Sequence, residues 1–545
     1  MRPNVHWLTP FLLACMMATG AYAQRPASTP STVKLRVKLK SGILEGAPLP
    51  PMQNGAAFLG IPYAAPPVGE LRWKPPQPVS RWNGTRQATQ FGAACPQRPA
   101  SWFPYVGWSE NCLFLNVWTP QLSGGAKFPV LVYFHGGSNT QGYSQMTPLG
   151  PALAPLGVVV VSANYRLGPF GFLAHPALTE ESPHHSSGNY GLLDQIKAIR
   201  WVRQNVAHFG GDPGRITVMG QSAGAVDVCL LMASPMAVGL FQGAIMESGD
   251  CQSVFNEDIR LPIHYNFIST TGEGSGEFLA EDLGDIKSAE GLHKLRAIPA
   301  DEILNAWNQD RRVHFDAIVD GWVIPEQPAT IFAEGRQMHI PVLVGSNAEE
   351  ATVFGHAGPK TLDEYKNYLA EDTGRFCAEE FRLYPASSDT GVPPQYLQLQ
   401  SDTFAYGAYS MAQAMTAVGQ KAYLYYFTYA EKGKRAYLGA YHGEELNFLS
   451  DFFPANWEHG RDDEILGQIM RTYWTQFVKT GNPNASGVPK WPAYNSAINQ
   501  CAELGRTVRV LPVKPQLHAL EQIMRQVFGE VAKSDHEPDQ VGANR

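Results

Sequence analysis

Ile216-Thr217-Val218-Met219-Gly220-Gln221-Ser222-Ala223-Gly224-Ala225-Val226 is the stretch on which the fold turns. Its first four residues are apolar or β-branched and read as a buried strand, and Ala223–Met232 has a helical pattern. G-x-S-x-G stands between the two. The glycines let the backbone turn sharply, which leaves the Ser222 side chain exposed at the carboxyl end of the strand. The helix points its N-terminus at the same place, where developing negative charge is favoured. A bare G-x-S-x-G is an ordinary turn. Between a strand and a helix it reads as a nucleophile elbow, with Ser222 as the candidate nucleophile.

Apolar runs recur on both sides of the elbow, at Pro129–Phe134, Val158–Ser162, Ala244–Met246, Pro341–Val344 and Ala422–Phe427. Helical patterns such as Leu192–Val206 lie between many of them. Strands buried on both faces and alternating with helices predict an α/β fold: a mostly parallel central sheet flanked by helices. Val33–Lys40 alternates apolar and basic residues and reads as a strand with one wet face. Neither an internal repeat nor a long polar linker is visible, so residues 24–531 are expected to form a single domain, with a polar tail at 532–545.

The first residues read as a signal peptide. Arg2 precedes the mostly apolar Leu8–Met17, and Ala21-Tyr22-Ala23 has the small-x-small pattern of a cleavage site after residue 23. Leu12-Leu13-Ala14-Cys15 resembles a lipoprotein box, but cleavage there would fall inside the apolar core of the signal. A secreted or periplasmic location is therefore expected. The 545 residues carry a formal net charge of −7 with 11% aromatics. That balance offers nothing to nucleic acid or an anionic membrane, and no further apolar run is long enough to span a bilayer. Of the seven cysteines, Cys95 and Cys112 are the nearest pair. A bridge between them would contribute about 3 kcal/mol in the chain-entropy treatment. Pairing among Cys229, Cys251, Cys377 and Cys501 is left open. No C-x-x-C occurs, so no zinc ribbon or dithiol redox site is expected, and no metal, cofactor or obligate protein partner is called for.

A serine needs a base, and the base needs an orienting acid; in this type of fold the chain order is Ser, Asp/Glu, His. Pro341–Gly345 empties into Ser346-Asn347-Ala348-Glu349-Glu350, and Ala422–Phe427 is followed by a loop holding His442. Both loops lie past strand carboxyl ends, the same edge as Ser222. His442 is the candidate base, and either glutamate is a candidate acid. His135-Gly136-Gly137 follows another strand, and consecutive glycines let backbone N–H groups approach a substrate oxygen. With the N–H of Ala223 they would make a three-donor oxyanion hole.

The chain resembles the type-B carboxylesterases, α/β-hydrolases that include cholinesterases and fungal lipases. The likeness is carried by Phe58-Leu-Gly-Ile-Pro-Tyr-Ala-Ala-Pro-Pro-Val-Gly-Glu-Leu-Arg72, Ser109-Glu-Asn-Cys-Leu-Phe-Leu-Asn-Val-Trp118 and Asn164-Tyr-Arg-Leu-Gly-Pro-Phe-Gly-Phe172. It continues through Gly188–Gln195, Phe209–Pro213, the elbow, Lys479–Pro483 and Trp491-Pro492. The resemblance implies a Ser222, Glu350, His442 triad with Gly136, Gly137 and Ala223 as the oxyanion hole, and insertions that form an active-site gorge. Glu350 is preferred to Glu349 by its place after Gly345, although Ala351 stands where the family usually has glycine. It further implies the Cys95–Cys112 bridge, Arg72–Glu110 and Arg166–Asp194 ion pairs, and Ser248 as a support for the triad acid. No cysteine closely follows Cys251 to close the family's second short loop.

Trp102 sits where cholinesterases place a choline-binding tryptophan, and Phe103, Tyr105 and Trp108 crowd the same loop. Gln221 precedes the nucleophile where cholinesterases carry Glu. An aromatic wall for a neutral alcohol group is thus favoured over a choline site, although a cholinesterase-like activity stays open. The implied activity is hydrolysis of small-molecule carboxylic esters, with bulky exogenous esters, including tricarballylic esters of mycotoxins, as the expected class. Carbamate or amide hydrolysis is an alternative. A non-catalytic adhesion module, known within the superfamily, is another, but every candidate catalytic position is filled here.

Overall fold

A computed structural model of the protein describes residues 35–98, 107–122, 125–252, 271–284, 289–310, 312–354, 358–454 and 457–534. The expected signal peptide lies outside these ranges, as do most of the tail and Trp102, Phe103 and Tyr105. From Leu35 onward the described residues belong to one compact unit.

Among the described residues eleven strands form the main sheet. Their spatial order is Arg509–Pro512, Gln500–Leu504, Ala422–Phe427, Val342–Asn347, Gly243–Glu247, Gly211–Gln221, Phe128–Phe134, Val159–Ala163, Phe114–Thr119, Ala56–Pro62, Ala47–Pro48. Neighbours from Gln500–Leu504 through Val159–Ala163 run parallel, and the pairings at both ends are antiparallel. The parallel strands alternate between two apolar layers. Val130, Val132, Val218, Met246 and Val344 face one core, and Leu131, Tyr133, Met219, Ile245 and Leu343 face the other. Both faces are covered, which is why these runs read as continuously apolar.

The strand expected at Ile216–Met219 extends over Gly211–Gln221, and the helix after it covers Ala223–Ala233. Val33–Lys40 contributes only Arg36–Lys38 to a small separate sheet, with Val37 buried between two exposed neighbours. Two strands had weak signals. Gly60 and Pro62 interrupt the pattern of Ala56–Pro62, and Asn116 makes Phe114–Thr119 look like a loop. Asn116 is satisfied inside the sheet: its Oδ1 accepts the Gly60 N–H at 3.0 Å, and its Nδ2 donates to Ser144 Oγ at 3.0 Å and Ser162 Oγ at 3.2 Å.

Two bidentate ion pairs fasten the first half. Arg72 meets Glu110 with both bonds at 2.7 Å, and Arg166 meets Asp194 at 2.7 and 2.8 Å in full burial. Among the described residues two disulfides are present. Cys95–Cys112 closes the expected loop, and Cys229–Cys251 ties the helix after the elbow to the chain just past Gly243–Glu247. The partner of Cys251 thus precedes it in the chain. Cys377 and Cys501 are free.

Candidate active site

Register in the parallel sheet brings Gln221, Glu247 and Gly345 level at the carboxyl edge. The chain therefore leaves three adjacent strands side by side. Ser222 N–H donates to Glu247 O at 2.8 Å, and Ser248 N–H donates to Gly345 O at 2.9 Å. Ser222 itself has φ +56° and ψ −129°, a backbone state that costs about 1–3 kcal/mol for a non-glycine residue. The strand before it and the helix after it hold that state. Close approach explains the elbow glycine: a Cβ on Gly224 would lie 2.4 Å from Phe134 O.

The His135-Gly136-Gly137 loop lies against the serine. A Cβ on Gly136 would stand 2.9 Å from Ser222 Cβ and 2.6 Å from Gln221 O, so only glycine fits. No described residue accepts from the N–H of Gly136, Gly137 or Ala223. His135 anchors this loop from behind: its ring stacks on Tyr165 with centroids 4.5 Å apart, and Tyr165 Oη donates to His135 O at 2.8 Å. Burial lowers the His135 pKa to about 4 despite its bond to Gly136 O, so the ring stays neutral. Asn139, on the same loop, donates to Asp227 at 3.0 Å and Asp316 at 2.8 Å, and Asp227 belongs to the helix that follows Ser222.

His442 and Glu350 meet from the two expected loops. His442 Nδ1 and Glu350 Oε2 are 2.6 Å apart, with the carboxylate fully buried. The other Glu350 oxygen accepts the Asn347 N–H at 2.7 Å. Glu350 opens a short 3₁₀ turn, Glu350–Val353, whose Ala351 N–H is held at 3.1 Å by Ser401 Oγ from the long helix Val392–Ala417. Glu349 faces elsewhere, accepting the Ala440 N–H at 2.8 Å. Ser248 is buried near this edge, but its hydroxyl bonds no described residue. Asn347 N–H holds the Glu350 carboxylate instead.

Burial disfavours the imidazolium of His442 most strongly, but the Glu350 carboxylate, through charge and hydrogen bond, and Glu445 outweigh it and raise the pKa. The remaining ring nitrogen, Nε2, lies 3.1 Å from Gln221 Nε2. With Nδ1–H directed at Glu350, Nε2 is the acceptor and the Gln221 amide donates. The Ser222 hydroxyl has no hydrogen-bond partner among the described residues. Behind Glu350 lie two more buried carboxylates. Burial and the neighbouring Glu350 push Glu445 up to about 7, and burial with Glu445 drives Glu247 well up. Asn347 Nδ2 donates to Glu445, and Trp474 Nε1 donates to Glu247 at 2.7 Å.

Two rings at the site carry no signal in the sequence. Phe354 and Phe404 each stand 5.1 Å from the His442 ring, and Phe354 is 51% exposed. Neither belongs to a motif, and only the chain's path around Glu350 brings them there. Among the described residues no cluster of His, Cys, Asp and Glu could hold a metal ion, and no helix is long and apolar enough to cross a membrane.

The carboxylesterase family model matches residues 33–521. The fumonisin B1 esterase of Sphingopyxis macrogoltabida is 36% identical over 498 residues, covering 88% of each chain. The para-nitrobenzyl esterase of Bacillus subtilis is 34% identical over 488 residues, covering 84% of this chain and 93% of that one. A solved PNB esterase superposes with a TM-score of 0.76 at 30% identity, over 90% of this chain and 100% of that one.

Proposed function

The chain belongs to the carboxylesterase family of α/β-hydrolases and is a serine-type ester hydrolase, and from that premise we propose that Ser222 is its nucleophile, His442 its base and Glu350 its acid. The observation that carries this reading is the 2.6 Å contact of His442 Nδ1 with a fully buried carboxylate, on the sheet edge where Ser222 holds its elbow conformation. Ser222 Oγ attacks the ester carbonyl carbon while its proton passes to His442 Nε2. The carbon–oxygen bond to the alcohol breaks, and His442 gives the proton to the departing oxygen. Water then attacks the acyl-enzyme by the same route, releasing the carboxylic acid and restoring Ser222. Glu350 keeps the proton on Nδ1 and stabilises the imidazolium. Gly136, Gly137 and Ala223 offer their N–H groups to the oxyanion. Gln221, which occupies Nε2 in the free enzyme, gives way to the serine at each turnover.

For substrate we propose bulky carboxylic esters without a choline-like quaternary ammonium beside the scissile bond, the first feature supported by the likeness to the fumonisin B1 esterase and the second by Gln221 in place of a carboxylate. Two disulfides support an exported protein, since such bonds persist in oxidising compartments. The deciding experiment is labelling with an organophosphonate, alongside turnover of p-nitrophenyl butyrate and of fumonisin B1. Wild-type protein is expected to label once and to release acid from both esters. Ser222→Ala is expected to lose labelling and about 10⁴–10⁶ in rate with an unchanged thermal midpoint. Near-wild-type turnover by that variant would overturn the assignment, whereas failure on fumonisin B1 alone would remove only that substrate.

A further inference from the structure

A cleft separate from the triad opens between the helix Tyr190–Asn205 and segments near residues 40 and 75–81. Its volume is about 610 Å³, within the range of small-molecule sites, roughly 300–1,000 Å³. Lys40, Arg81, Lys197 and Arg200 line it, joined by His184 and His208. No Asp or Glu does. Among the described residues none of these six side chains is paired with a carboxylate. Arg200 reaches only a backbone oxygen, that of Met236 at 3.0 Å.

This one-signed wall runs against the composition of the chain. Acidic residues outnumber Lys and Arg by 49 to 42, so a chance arrangement would bring carboxylates to the cations. Lys197 and Arg200 are three residues apart on one helix face, where like charges repel. Burial, with Arg200 beside it, holds the Lys197 ammonium below the usual lysine range, as befits a cation with no counter-charge. Ser41, Gln204 and Asn205 add neutral polar groups, and the rest of the lining is apolar and aromatic. Trp201 lies in the wall, and Trp322 forms a flat platform with His184, their rings 3.9 Å apart and 11° from parallel. Leu193, Ile196 and Met236 add to the apolar lining, with prolines and Val79 opposite in the 75–79 segment.

We propose that this cleft is a second ligand site, which takes an organic anion of two or more negative charges carried on a flat apolar body. The cations supply attraction and the rings supply a stacking surface. A bare inorganic anion would use only the first, and a neutral aromatic only the second. Ser222, His442 and Glu350 are not among the residues that line the cleft, so the inference stands apart from the proposed catalytic reading.

The test is calorimetric titration of the full-length protein with 1-naphthyl phosphate, inorganic phosphate, 1-naphthoate and 1-naphthol, after Ser222 is blocked with an organophosphonate. One equivalent of naphthyl phosphate is expected to bind, more weakly as salt rises. Inorganic phosphate and 1-naphthol are expected to bind at least about tenfold more weakly, with the monoanion 1-naphthoate in between. Lys197→Glu/Arg200→Glu should weaken naphthyl phosphate binding about a hundredfold or more, and Lys40→Gln/Arg81→Gln about tenfold, with ester turnover of the unblocked variants unchanged. The second variant decides the question should the first fail to fold. Absence of binding up to 10 mM naphthyl phosphate (roughly the weakest useful affinity), equal binding of 1-naphthol, or unchanged binding in the folded variants would overturn the proposal.

Discussion

Ser222 is held by backbone, with the side chains of His135 and Asn139 only behind its glycine loop, whereas His442 and Glu350 are held by side chains. Around Ser222 itself the contacts are carbonyl oxygens, peptide N–H groups and missing Cβ atoms, as at Gly136 and Gly224. None of these titrates. On the base side Glu350 depends on Asn347, Asn347 on Glu445 and Tyr441, and the turn on Ser401. Three carboxylates share that buried region, and their charges respond to pH and to one another. The lesson is that the two halves fail differently. The first should break when volume is added, and the second when charge is changed.

Short of removing Ser222 itself, the largest effect is expected from charge on the base side. Glu350→Gln should cost about 10³–10⁴ in kcat/KM, because the amide supports the wrong imidazole tautomer. Glu349→Gln should stay within about threefold, since its side chain still offers an oxygen to the Ala440 N–H. Steady-state kinetics on p-nitrophenyl butyrate measure both, and reversed severities would move the acid by one residue. Volume on the nucleophile side comes next. Gly136→Ala places a methyl group 2.6 Å from Gln221 O and should displace the loop, with a loss of about 10²–10³ in kcat and little change in KM. A variant with normal kcat would show that this loop yields more than its packing implies.

Gln221 touches both halves and gives a smaller, two-part prediction. Gln221→Glu should raise kcat/KM for butyrylcholine relative to a neutral butyrate ester by at most about a hundredfold, the value of a carboxylate some 5 Å from a quaternary ammonium at intermediate dielectric. The new charge would also lie against His442 Nε2. It should raise the imidazole pKa, so the acid limb of the pH–rate profile moves to higher pH for both esters. A wild-type enzyme that already prefers butyrylcholine would invalidate the substrate argument. The smallest effect belongs to Glu445→Gln. Glu445 helps to raise the His442 pKa, so its neutralisation should move the acid limb to lower pH, increasing kcat/KM at pH 6 relative to pH 8 by less than about threefold. A shift in the opposite sense would show that Glu445 acts through packing instead of charge.

The same contrast governs what is legible in the sequence. The elbow is local: strand, turn and helix follow within Gly211–Ala233, and each has its own pattern. Gly136 and Gly137 are equally plain, since a glycine pair after a buried strand has few other uses. His442 and the two glutamates are found only through chain order, because nothing within either loop states its partner. The residues alone leave Glu349 and Glu350 open and only the family resemblance prefers Glu350, because the 3₁₀ turn at Glu350–Val353 that presents it is held by Ser401 from a helix fifty residues on. Phe354, Phe404 and the Glu247–Glu445 carboxylates stay hidden for the same reason: their roles arise from tertiary neighbours and leave no period or spacing. The antiparallel strands Ala56–Pro62 and Phe114–Thr119 are obscured by Gly60, Pro62 and Asn116, residues whose polar or turn character is offset only by contacts across the sheet.

The two disulfides also bear on how the chain searches for its fold. Each joins cysteines that follow one another in the chain, 17 and 22 positions apart. Exchanging partners between the bridges, as in Cys112 with Cys229, would require closing a loop about five to seven times longer, which costs roughly 1.4–1.7 kcal/mol more and makes that encounter at least about tenfold rarer. Oxidation of a still-disordered chain thus favours the native pairs before any tertiary contact selects them. One of those pairs already tethers the segment that becomes the nucleophile helix to the strand end beside it.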